Sequence, residues 1–322
     1  MEHPVVVSQA TVPRVIPKRG FASMWREIKQ GKYLLLMMLV PMGLVLVFNY
    51  GPMYGLQIAF KDYRILDGIW ASPWVGFKHF QRFFTSPVTL RVLRNTIEIS
   101  MLRLICGFPI PIVLALMINE MKDGVYKRVS QSISYLPHFL SWVVIAAIFF
   151  FVLSPSNGIV NKIIEALGGT PIYFMNDPKW FRVVLIGSSI WQSAGWGSIL
   201  YLAALSSVDP SLHEAAMVDG ASRLQRIWYI NVPSILPVIT ISLILNMGGI
   251  MNAGFDQIFN MYSSRVYEVS DIIDTYVYRA GLVSMEYGFS TAVGLFKSLV
   301  GLIMVLTVNS IARRVGGGGT LW

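Results

Sequence analysis

The chain has 322 residues, 54% of them hydrophobic and 13% charged, about half the charged share of an ordinary soluble domain. That balance excludes a soluble globular fold and predicts one polytopic membrane domain. The net charge of +9 does not indicate nucleic acid, because the basic residues nearest the N-terminus stand together beside an apolar run, where anionic headgroups and the positive-inside rule account for them.

That basic collar comprises Arg14, Lys18, Arg19, Arg26, Lys29 and Lys32 and defines a cytoplasmic segment over 1–32. A cleaved signal peptide is not expected, since the first apolar run begins past residue 32 and lacks a small-residue exit. An all-α domain over 33–312 follows, with six predicted spans at 33–50, 95–118, 136–153, 182–205, 233–251 and 288–312. Runs of about 20 apolar residues cross roughly 30 Å of hydrocarbon. An even number of spans returns the tail, 313–322, to the side of the N-terminus, and Arg313 and Arg314 mirror the first collar. Both termini are therefore expected in the cytoplasm, although the positive bias over all loops is weak.

The loops expected outside, 51–94, 154–181 and 252–287, are rich in aromatic residues, as in GIWASPWVGFKHF and PIYFMNDPKWF. Amphipathic rings at a membrane interface explain most of these, and short interfacial helices that meet a partner explain the remainder. The tail GGGGTLW carries a glycine linker signal. Cys106 lies in the apolar stretch LICGFPIP and reads as a buried, inert thiol. The four histidines lack ligand spacing, so no metal site is expected.

Within or near spans, ionisable Glu98, Arg103 and Lys297 are costly unless paired or functional; salt bridges inside the bundle are the simpler expectation. A pathway for a hydroxyl-bearing solute needs apolar faces for its rings and amides or carboxylates for its hydroxyls. Trp191, Gln192 and Trp196 in IWQSAGWG, with Asn246, Asn252, Asp256 and Gln257 near the fifth span, are the candidates. Aromatic residues in spans are more often packing residues, and the choice rests on residue type alone.

Between the fourth and fifth spans lies SVDPSLHEAAMVDGASRLQRIWYINVPSILP. Asp209-Pro210 is an N-cap and first-turn proline, and Ser211 with Glu214 fits a capping box. A helix should run to Met217 or Val218, with Asp219-Gly220 as the turn. A second, amphipathic helix begins at Ala221 with Leu224, Ile227 and Trp228 on one face. Asn231, Pro233 and Pro237 are expected to end it and restart the chain as a span. A DNA-reading helix-turn-helix has the same pattern, but two spans about 30 residues apart leave no room for its core. A helical elbow fixed to two spans acts instead as a lever.

The stretch EAAMVDGASRLQRIWYINVP resembles the EAA loop of permease subunits in bacterial ATP-binding cassette (ABC) importers. Glu214, Ala215, Ala216, Gly220, Val232 and Pro233 occupy that pattern. The pieces YGPMYGLQIAFKDY, SPWVGFKHF, NTIEIS, PIPIVLALMINE, YLPHFLSWVV and the terminal LW resemble the LplB-like branch of carbohydrate-importer permeases, whose members carry oligo- or polysaccharides. The glycine run before the LW departs from the more polar ending of that branch.

The resemblance implies a six-span type I importer fold, MetI-like, in the cytoplasmic (inner) membrane. It implies a second homologous permease, two ATPase subunits and an extracytoplasmic solute-binding protein as partners. The elbow at 209–232 would dock in a cleft of an ATPase through Glu214, Ala215, Ala216, Asp219, Gly220, Arg223, Arg226 and Pro233. ATP-driven closure would then move the spans from inward-open to outward-open. The sequence contains no G-x-x-x-x-G-K-[ST], so ATP and its magnesium belong to the partner and this chain binds no cofactor. An acidic polysaccharide such as alginate and a neutral glycan fit the outer loops equally well. A stand-alone secondary transporter would need charge relays or repeated broken helices, and a membrane enzyme would need a clustered acidic or histidine site. Neither pattern is present.

Overall fold

The computed structural model describes residues 31–314, with side chains through Ile311. The basic collar up to Lys29, Arg313 and Arg314 as side chains, and the glycine tail lie outside the described residues. Among the described residues the structure is helical, with one isolated bridge, Lys61 to Trp74. The chain divides into two units, the first ending at Leu56 and the second beginning at Gln57.

Helix α1, Lys32–Phe60, is apolar and long enough to cross a membrane; its most apolar stretch holds no buried residue, and Ala59 near its end is buried. It outruns the predicted first span by ten residues because the chain continues as a 3₁₀ helix over Gly51–Phe60. In the second unit, α2 is Lys78–Thr85 and α3 is Pro87–Asn119. The third predicted span is broken: α4, Val125–Phe139, and α5, Trp142–Val152, meet at 103°. Two local features cause the break. Pro137 lies in a 3₁₀ turn, and the chain then extends at Leu140 before Ser141 caps α5, its hydroxyl accepting from Val144 N–H. Helices α6, Ile159–Ala166, and α7, Pro178–Leu205, follow.

After α8, Pro210–Val218, α9 runs unbroken over Arg223–Gly248, so the second elbow helix and the fifth span are one element. The prolines do not restart the chain there. Residues Ile227–Asn231 form a π-turn, and Pro233 follows directly after it in the first turn of the next α-segment. The same arrangement recurs at Leu46–Tyr50 before Pro52 and at Arg103–Gly107 before Pro109. A π-turn relocates one backbone bond, which accommodates the missing proline N–H without a kink. Helices α10, Phe255–Met261, α11, Ile273–Tyr278, and α12, Tyr287–Arg314, complete the chain. Among the described residues the long apolar helices thus number five, or six with the bent pair counted as one span.

Helix α3 organises the second unit, since Val92, Ile99 and Ala115 each enter a different apolar cluster. Ile99 packs with Phe181 and Leu185 of α7 and Ile258 of α10. Val92 packs with Phe289 and Val293 of α12, and Ala115 with Tyr201 and Ile235. Small residues let backbones approach, as in other membrane helices: a Cβ on Gly195 would collide with the Ser134 carbonyl, and one on Gly197 would crowd the Pro111 ring.

The 262–275 segment is fastened to α3 and α7 by polar contacts. Asp271 is fully buried, and Arg279 Nη2 donates to both of its oxygens at 2.8 and 2.7 Å. Asn95 Nδ2 donates to the Glu268 and Asp271 carbonyls at 2.9 and 3.1 Å, and Arg182 Nη2 donates to Asn95 Oδ1 at 2.8 Å. A buried charge is tolerated only when its oxygens are satisfied in this way.

Candidate functional site

Two features of the second unit fit a transport function: an exposed elbow and a cavity among the long helices. The elbow is built from local rules. Asp209 caps α8 by accepting the Ser211 N–H at 2.9 Å, with Pro210 in the first turn. That N–H holds the Asp209 carboxyl below the usual carboxylate range. The expected Ser211 and Glu214 box does not form, because Asp209 already occupies the cap; Glu214 is exposed instead. The capping box belongs to the next helix, where Ser222 N–H donates to Gln225 Oε1 at 2.7 Å and Gln225 N–H donates to Ser222 Oγ.

The turn between them is a Schellman closure. Ala221 N–H donates to the Ala216 carbonyl at 2.8 Å and Gly220 N–H to Met217 at 3.1 Å, while Gly220 adopts φ +79°. Only glycine accepts that conformation without Cβ strain. Glu214, Ala215, Asp219, Gly220, Arg223 and Pro233 are exposed, and Ala216 and Arg226 are half-buried. Val218 is 88% exposed and Tyr229 80%. The elbow is therefore a surface continuous with α9 whose apolar residues Val218 and Tyr229 stay exposed among the described residues.

The cavity, of about 400 Å³, lies between α3, α7 and α9. Ser189, Ser193 and Gly197 line it from α7, Ser100 and Arg103 from α3, and Ser242 and Asn246 from α9, with Asn252 beyond. The π-turn at Arg103–Gly107 belongs to this wall. Of the residues expected on a sugar pathway, Asn246 and Asn252 are brought together here. Trp191, Gln192 and Trp196 are not, because the serine stripe at i, i+4 uses the other side of α7. Trp191 meets Phe149 edge-on, and Trp196 stacks on His138 with centroids 4.6 Å apart. Asp256 is exposed away from the cavity. Gln257 is buried and engaged, its amide donating to the Leu185 carbonyl at 2.7 Å and Ser188 Oγ at 2.8 Å while its carbonyl accepts from Arg103. A second cavity of about 590 Å³ shares Asn252 and is lined by Tyr278, Tyr287 and the Asp274–Lys297 pair.

Sequence reasoning overlooked Ser189 and Ser193, whose i, i+4 spacing in an apolar helix was the available signal. Cys106 is exposed rather than buried and lies outside the cavity lining. The expected in-span pairing holds for two groups. Glu98 bonds Arg94 and Arg182, each at 2.6 Å, and Lys297 bonds Asp274 at 2.6 Å.

Residues 107–317 match the family described as binding-protein-dependent transport system inner membrane component. The chain belongs to that family. It is a multi-pass permease subunit, and the α8–α9 elbow and the α3–α7–α9 cavity both fall largely within the matched region. Protein LplB of Bacillus subtilis is 45% identical over 89% of this chain and 90% of its own. The polygalacturonan/rhamnogalacturonan transport system permease protein YteP of the same organism is 44% identical over 91% of each. Among solved structures, a bacterial ABC transporter involved in the import of the acidic polysaccharide alginate matches with 43% identity over 91% of this chain and 99% of that chain, at a TM-score of 0.84. A bacterial alginate ABC transporter in complex with an alginate pentasaccharide-bound periplasmic protein matches at 42%, covering 92% and 99%, with a TM-score of 0.85. The fold is that of ABC-importer permeases.

Proposed function

We propose that this permease carries an oligo- or polysaccharide across the cytoplasmic membrane by alternating access. It would work with a second permease, two ATPase subunits that hold ATP and magnesium, and an extracytoplasmic solute-binding protein. Both termini and the 209–232 elbow face the cytoplasm in this reading. The observation that carries it is the elbow: a capped, glycine-closed helix pair, exposed along Glu214 and Val218 and fused without a break to α9. A push on α8 passes through the Gly220 turn and then along the continuous α9 to Asn246 at the cavity. Saccharide as cargo is supported by the permease relatives and by a cavity whose hydroxyls and amides can exchange hydrogen bonds with sugar hydroxyls. Asn246 and Asn252 are the pathway residues it favours.

Co-purification tests the docking step. The wild-type chain, co-expressed with its ATPase, should retain it through size exclusion, and Glu214→Arg should release it while the spans stay inserted. Retention of the ATPase by Glu214→Arg, together with normal nucleotide hydrolysis, would remove the elbow from the coupling path.

A further inference from the structure

Arg103 departs from the other ionisable groups singled out in the spans. Glu98 and Lys297 each have an oppositely charged partner. Arg103 has none among the described residues: its side-chain partner is the neutral amide of Gln257, and its Nε is buried without an acceptor. An uncompensated cation among membrane helices is costly, so its retention there calls for an anion that arrives from outside the chain.

The surroundings hold the guanidinium ready. Gln257 is itself fixed by Leu185 and Ser188. Gly254, at φ +85°, leaves the space that the guanidinium fills, since a Cβ there would collide with it. Arg103 is only part-buried, and it lines the 400 Å³ cavity beside Ser100, whose hydroxyl is also buried without a partner. Asn246 and Asn252 supply amides in the same cavity. A fixed planar cation, a free hydroxyl and two amides suit a ligand that is both anionic and rich in hydroxyls. A guanidinium binds a carboxylate through two parallel N–H donors.

We propose that Arg103 is a specificity-determining residue of the pathway and takes the carboxylate of a uronate unit as an acidic saccharide passes through the cavity. The inference rests on the saccharide reading given above and narrows it to acidic glycans. Loss of a charge-assisted pair predicts about a ten- to hundredfold weaker interaction.

The test uses the assembled transporter in nanodiscs and titrates it, without binding protein, with oligogalacturonate and with its methyl ester, which keeps the hydroxyls and loses the charge. Wild type should bind the acid at least tenfold more tightly than the ester. R103Q should bring the acid down to the level of the ester and leave the ester unmoved, and R103K should recover part of the difference. Equal weakening of acid and ester by R103Q, loss of the second permease from the purified R103Q complex, or no preference in wild type would each overturn the proposal. Stimulation of wild-type ATP hydrolysis by binding protein loaded with various glycans separates the two readings. Stimulation by neutral glycans alone would leave the saccharide reading standing and remove the role of Arg103, whereas stimulation by no glycan would remove both.

Discussion

Substitution of Gly220 separates backbone geometry from surface bulk at the elbow. The residue sits at φ +79° with nothing within 4 Å of where a Cβ would be. A Cβ there therefore meets no atom of the described residues, and its cost is conformational. Forcing an L-residue into the left-handed region costs about 1–2 kcal/mol, which shifts the population of the closed turn by about 5- to 30-fold. Asparagine tolerates the conformation and a β-branched residue does not. Gly220→Asn should then keep most of its coupling, and Gly220→Val should lose most of it. Gly220→Trp should lose nearly all, because it adds bulk on the face offered to the ATPase. The assay is substrate-stimulated ATP hydrolysis by the purified complex, normalised to its basal rate, with size exclusion confirming insertion and assembly. Wild-type stimulation in both Gly220→Val and Gly220→Trp would refute the reasoning.

Three further outcomes follow from the contacts. Asp271→Ala strands Arg279 and loosens the 262–275 segment from α3; breaking a buried pair costs about 3–5 kcal/mol, so the apparent Tm in detergent should fall by several degrees. Asn161 is buried and donates to the Leu153, Ser154 and Ile172 carbonyls while accepting the Ile172 N–H; Asn161→Ala should cost about 2 kcal/mol or more and raise protease sensitivity in 153–172. The Asp209 cap has a defined pH dependence. Its carboxyl is lowered from 3.8 by the Ser211 N–H, so its contribution is complete above that value and disappears as pH falls through the lowered one. Asp209→Ala should therefore speed amide exchange at the start of α8 near neutral pH, and the difference from wild type should vanish in strong acid.

The contrast between α8 and the cavity shows what a sequence can disclose. Asp209-Pro210, Gly220 and the amphipathic pattern beyond Ala221 act through bonds within five residues, and the elbow was legible from them. Even there, competition misled: Ser211 with Glu214 matched a box that Asp209 had pre-empted, while Ser222 with Gln225 formed one. Pro233 and Pro237 read as a helix stop because a π-turn has no composition signature of its own; proline stands two residues beyond the turns at Leu46–Tyr50, Arg103–Gly107 and Ile227–Asn231, but not beyond the one at Arg279–Val283. The break at Pro137 to Ser141 was hidden by an apolar run that suited a continuous span. The cavity depends on which side of α7 faces α3 and α9. Trp191 and Trp196 were the conspicuous residues, yet packing turned them to Phe149 and His138 and gave the cavity the smaller Ser189 and Ser193. Arg103 and Gln257 are 154 residues apart, and no local rule joins them.

Uptake into proteoliposomes tests the central claim most directly. Vesicles holding the permease pair and its ATPases, with loaded solute-binding protein on the outside, should accumulate labelled oligosaccharide only when ATP and magnesium are inside. Omission of the binding protein or of ATP should reduce uptake to the level of empty vesicles. Accumulation of the saccharide by vesicles carrying this chain alone, without nucleotide, would contradict the account.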